Sequence, residues 1–185
     1  MLMDQNLRFS AAQAVTATAA STNTLDLLQG TTVITGSASF VTGTIGGTYI
    51  IGQNLSVFGM DFGVGRGMGT PRVVVTTGPT APGAATSLQI SFQGAADPGA
   101  SNTIASLTFI PYYQTRAIPL ASILASNRVA SFDWPMREVN SAMPRFINLN
   151  YIVAGSNFTG LTLSADVTLG PDDSVNTLNK YPSNF

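Results

Sequence analysis

Residues 145–169, RFINLNYIVAGSNFTGLTLSADVTL, decide what kind of fold this chain adopts. Leu161, Leu163, Ala165, Val167 and Leu169 alternate with Thr162, Ser164, Asp166 and Thr168. Upstream, Ile147, Leu149, Tyr151 and Val153 alternate with Asn148, Asn150 and Ile152. Successive strand side chains point to opposite faces, so an apolar residue at every second position reads as a half-buried strand. The intervening AGSNFTG is rich in turn residues, and the whole segment predicts an antiparallel hairpin.

The same alternation recurs upstream. In TSLQISFQ (86–93), Leu88, Ile90 and Phe92 share one face and Gln89, Ser91 and Gln93 the other. TIASLTFIP (103–111) follows after a loop containing Asp97, Pro98 and Gly99, which predicts a second hairpin. TYIIGQNLSVFGM (48–60) and PRVVVTT (71–77) are further strands joined by a glycine-rich link. TTVITGSASFVTGTIGG (31–47) reads as short strands punctuated by Gly36, Gly43, Gly46 and Gly47. Only IPLASILASN (118–127) has a helical reading, of two turns at most, with Pro119 in the first turn and Asn127 near the end. Short strands spaced by roughly 8 to 12 residues predict an all-β jelly roll or β-sandwich with little helix. Its core is expected to include Leu88, Ile90, Phe92, Leu149, Tyr151, Leu163 and Val167.

At 185 residues the chain is expected to form one domain, and 44% hydrophobic residues are too many for disorder. Charged residues are only 9%, against about 25% in an ordinary soluble domain. Polarity comes instead from 22 Thr, 17 Ser and the amides. With 8 basic and 9 acidic residues the net charge is −1, a surface suited to a protein that lies against neighbours. A homo-oligomer is expected, dimer before trimer, because two-fold symmetry is the commonest arrangement.

The absence of Cys excludes disulfides and thiolate chemistry, and the absence of His removes the commonest general base and transition-metal ligand. Neither an enzyme nor a metal or other cofactor is expected. MLMDQNLRF lacks the basic and apolar regions of a secretory signal, and no apolar run reaches the length of a membrane span. Lys180 and seven scattered arginines do not make a nucleic-acid surface.

Three motifs invite chemical readings. In DFGVGRGMGTP (61–71) the glycines fall on every second residue and Met68 stands where a dinucleotide fingerprint needs its third glycine. A flexible link or strand kink fits better. Asp172 and Asp173 match no complete cation loop and read as a solvated turn. FDWPMREVNSAMPRF (132–146) holds the only Trp, Trp134, close to Met136, Arg137 and Met143. Trp and Arg are enriched at interface hot spots, but the leading reading is that Trp134 plugs one end of the sandwich, with a protein interface second and a sugar-stacking platform third.

The segment SAAQAVTATAASTNTLDLLQG (10–30) carries no charge before Asp26. Its alanines favour a helix and its β-branched Val15, Thr16, Thr18, Thr22 and Thr24 favour extended structure. FSAAQAVTATAASTNTLDL resembles the N-terminal signature of the Bbp16-type capsid cement (decoration) proteins of tailed bacteriophages. DFGVGRG, PGAATSLQISFQGAAD and MPRFINLNYIVAGSNFTGLTLSADV follow in that family's order, so the resemblance runs from Phe9 to Val167. Residues 30–60 look like an insertion, and the tail from Gly170 onward matches weakly.

The resemblance implies a jelly-roll protein on the outer face of a virion's capsid, present in the host cytoplasm during assembly and bridging subunits of the major capsid protein. It also implies that residues 13–28 are extended, with Val15, Leu25 and Leu27 buried and Thr and Ser on the other face. On this reading residues 1–9 are an N-terminal arm, 10–170 the jelly roll and 171–185 a C-terminal tail. The expected contacts are the arm's Leu2, Met3, Leu7, Arg8 and Phe9, then Trp134, Met136 and Arg137, with packing of the arm on its own sandwich or on a subunit partner as an equal alternative. The competing expectations are a minor neck or tail structural protein and a receptor- or glycan-binding β-sandwich module of a tail fibre. The last should expose an aromatic cluster such as Tyr112, Tyr113 and Trp134.

Overall fold

The computed structural model of the chain describes residues 8–26, 31–34, 72–96, 107–133 and 144–168. Their strands are β1 (Arg8–Ala14), β2 (Ala19–Ala20), β3 (Asn23–Asp26), β4 (Thr31–Ile34), β5 (Arg72–Thr77) and β6 (Gly83–Ala95). They continue as β7 (Ile110–Gln114), β8 (Ile118–Pro119), β9 (Arg128–Asp133), β10 (Phe146–Thr159) and β11 (Thr162–Thr168). One sheet has the order β1-β11-β5-β9 and the other β4-β3-β10-β6-β7, with β2 also on β10 and β8 also on β6. Each of these pairings is antiparallel.

β2 and β3 are one strand interrupted at Ser21. There the Ser21 N–H donates to the Leu149 carbonyl at 2.7 Å, and the Leu149 N–H donates to the Ser21 hydroxyl at 3.1 Å. β8 prolongs β7 along β6. With these merged and β4 set aside as an extra edge strand, the strands lettered B to I in chain order pair as B-I-D-G and C-H-E-F. That is the order of a jelly roll, two sheets interleaved by Greek-key connections.

The seven residues expected in the core are all buried: Leu88, Ile90, Phe92, Leu149, Tyr151, Leu163 and Val167. Phe92 sits at the centre, edge-on to Phe9 and to Phe132 with ring centroids 6.3 Å apart in each pair, the geometry the ring quadrupoles favour.

The expected hairpin over 145–169 is corrected. β10 runs through AGSNFTG, with Phe158 buried, and the chain turns only at Gly160 and Leu161. β10 and β11 then enter different sheets, so the segment is a corner between layers. Gly160 has φ +72, a conformation glycine adopts at little cost, and a Cβ there would lie 3.1 Å from Thr80.

The second hairpin stands, as β6 and β7, but its return strand starts at Ile110. The helical reading of 118–127 reduces to one 3-10 turn, Leu120–Ser122. The opening segment is extended in its described part, and Val15 and Leu25 are buried. Its hydroxyls, however, do not all line an outer face. Ser10, Ser21 and Thr24 are buried too, and the first two spend their hydroxyls on specific partners inside the sandwich. Leu27, the glycine-rich 61–70, the tail and the 35–60 part of the insertion lie outside the described residues.

Candidate functional site

Register places the two ends of the sandwich. Arg8 opposes Asp166, Thr168 opposes Arg72, and Arg72 opposes Asp133. The chain therefore enters β1 and leaves β9 at the same end. Residues 1–7 precede that entry and Trp134 follows that exit. The opposite end carries the corners between sheets, where Val15 N–H donates to Leu161 O, Gly78 N–H to Thr162 O and Ser126 N–H to Gly78 O.

Two ion pairs lie at the first end. Arg8 Nε lies 2.7 Å from Asp166 Oδ1, and Arg72 Nε lies 2.9 Å from Asp133 Oδ1. Behind the first pair runs a polar chain that passes from the exposed Thr22 through the half-buried Gln13 to the buried Ser10 and Tyr151. The Gln13 amide is oriented by Thr22 N–H donating to Oε1 and by Nε2 donating to Ala20 O, each at 2.8 Å. The Ser10 hydroxyl gives its one hydrogen to Gln13 Oε1 at 2.7 Å, so Tyr151 must donate to Ser10 Oγ across 2.8 Å. Burial pushes the Tyr151 hydroxyl well above its usual range and the nearby Asp166 carboxylate adds to this, while the Ser10 bond partly offsets them. The network locks β1 onto β10 and β11.

The edge beside Phe132 is apolar instead. All five residues of β7, Ile110, Pro111, Tyr112, Tyr113 and Gln114, are exposed, with Ile110 at 60%, Tyr112 at 41% and Tyr113 at 40%. A bulge makes this surface. Phe92 opposes Tyr113 and Gln93 opposes Pro111, so Tyr112 is the extra residue. Tyr113 stacks on Phe132 at 4.7 Å, and Tyr112 lies over Gly94, where a Cβ would come within 2.6 Å of its ring and of Pro144. Phe92 and Gly94 are two apart on β6 and share its inner face, so both tyrosines lie on that side, at the rim of the sandwich. An unbulged strand would send them to opposite faces.

Of the expected contact residues, Leu2, Met3, Leu7, Trp134, Met136 and Arg137 lie outside the described residues. Arg8 is the first residue of β1, held by Asp166, and Phe9 is fully buried against Phe92 within the chain's own core. Reading the sequence missed Ile110 and the buried Arg145, whose guanidinium lies 4.6 Å from the Phe146 ring centroid. Period-2 patterning registers faces, and neither an exposed edge nor a buried cation leaves a periodic signal.

No curated protein matches the chain. A family model, Bbp16, matches residues 9–167, from the second residue of β1 to the penultimate residue of β11, and thus spans the jelly roll from its first strand to its last. The chain belongs to the Bbp16 family, which is phage-associated.

Proposed function

We propose that the protein is a capsid cement (decoration) protein, binding the outer face of the phage shell and bridging major capsid protein subunits. Membership of a phage-associated family across the whole jelly roll carries this reading. Two further features support it. Both segments expected to make contact leave the sandwich at one end, and a surface with 9% charged residues is inexpensive to desolvate against a neighbour.

The mechanism is physical. A shell presents many copies of one site, so contacts that are weak singly sum through several anchors. A protein that binds the assembled shell and not its dissociated subunits stabilises the shell by mass action. No catalytic group or cofactor takes part.

The deciding experiment is densitometry of purified particles, combined with thermal dissociation of shells with and without the protein. A cement protein approaches stoichiometry with the major capsid protein and raises the dissociation temperature. A few copies per particle would identify a neck, tail or tail-fibre component instead.

A further inference from the structure

We propose that the tyrosine rim of β7, formed by Ile110, Tyr112 and Tyr113, is a docking surface for an uncharged, apolar patch of the shell protein. This rests on the cement reading and names a surface that the match to the family does not.

Three observations select the occupant. The rim is continuous with the end where the expected anchors leave, because Tyr113 stacks at 4.7 Å on Phe132, two residues before Trp134. β7 carries no charged side chain, and among the described residues at the same end Arg8 and Arg72 each lie against a carboxylate, of Asp166 and of Asp133, so a partner complementary to the rim itself is uncharged. Finally, one five-residue strand falls far short of the roughly 800 Å² per partner that a stable free-standing interface needs. Such a contact holds only when repeated, and a shell repeats it.

The mode of contact also follows. Pro111 lacks an N–H and the bulge at Tyr112 breaks the ladder, both of which blunt an edge against strand addition. The partner therefore meets side chains, not backbone.

The test uses shells assembled without the protein, to which purified full-length chain is added and bound copies are counted. Ile110→Ser with Tyr112→Ser removes the two most exposed apolar groups of the rim. Leu124→Ser, at the corner end and 57% exposed, is the control. The control should melt at the wild-type temperature and bind unchanged. The rim variant, which loses the Tyr112 ring over Gly94, should still melt cooperatively at a slightly lower temperature. At a temperature where it is fully folded, its binding should be weakened about 30-fold or more.

Binding by the wild type with equal binding by the rim variant would overturn the rim proposal and leave the cement reading standing. No binding by the wild type would overturn both. A concentration-dependent dimer in sedimentation that the rim substitutions abolish would assign the rim to a second copy. Saturable shifts of the tyrosine resonances with chitohexaose or cellohexaose, lost in the variant, would assign it to saccharide. Either result overturns the proposal.

Discussion

Replacing Tyr151 by Phe removes one hydroxyl from the middle of the molecule, and the network around it predicts an effect that changes with pH. Ser10 keeps its own donated bond to Gln13 Oε1 and loses only the bond it accepts from Tyr151. At pH 7 the cost is therefore about 1 kcal/mol, the net worth of one intramolecular hydrogen bond. In the folded protein burial raises the Tyr151 pKa, so the side chain stays neutral where an unfolded chain, with a tyrosine pKa near 10, begins to ionise. Above that pH the unfolded state binds fewer protons than the folded one, and stability falls as pH rises, by about 1.4 kcal/mol at one unit above the unfolded value. Tyr151→Phe has no such proton to lose. Urea denaturation of both proteins from pH 7 to 11 should show the wild type ahead at neutral pH and the gap closing near pH 11. A gap that stays constant across the range would mean that Tyr151 ionises as freely folded as unfolded, and the buried donor geometry would be wrong.

Gly94→Ala places a Cβ 2.6 Å from Pro144 and from the Tyr112 ring; thermal melting should register a loss of about 1–3 kcal/mol, because a proline ring cannot swing aside. Leu163→Ala, at a fully buried position of β11, should cost about 2–5 kcal/mol by chemical denaturation. Deleting residues 1–7 leaves β1 and the Arg8–Asp166 pair in place, so the melting temperature should hold while shell binding drops. Normal binding by that truncation would remove the arm from the anchors.

Which residues face the core was legible in the sequence, and which strands are neighbours was less so. The alternation through Leu149, Tyr151, Leu163 and Val167 identifies a buried face because side-chain direction is a local property. The same alternation cannot distinguish a hairpin from a corner, since both join two strands through a short turn. What decides is Gly160 and the bonds that Val15 and Phe158 make across the corner, and these involve residues more than a hundred positions apart. The buried hydroxyls of Ser10 and Ser21 escaped for a related reason. A Ser reads as an outer-face residue until its partners Tyr151 and Leu149 are known. The tyrosine rim depends on a one-residue bulge, and a bulge has no signature in composition. Tyr112 and Tyr113 therefore stood out only as aromatic residues, without the geometry that places both on one side.

Among the described residues, the first strand of the fold has only the last as its partner within its sheet. β1 pairs with β11, and the Arg8–Asp166 bond joins residues 158 positions apart. β11 in turn stands between β1 and β5. Until residues 162–168 have left the ribosome, that sheet lacks the strand joining its two parts, so a nascent chain that has not yet exposed β11 cannot close the sandwich. Loop closure over so many residues must precede the contacts that reward it, which makes such a topology slow to fold and exposes its unpaired strands meanwhile. A chain stopped before Thr162 should be recovered as aggregate, and the full chain should acquire its protease resistance in a single step that requires β11.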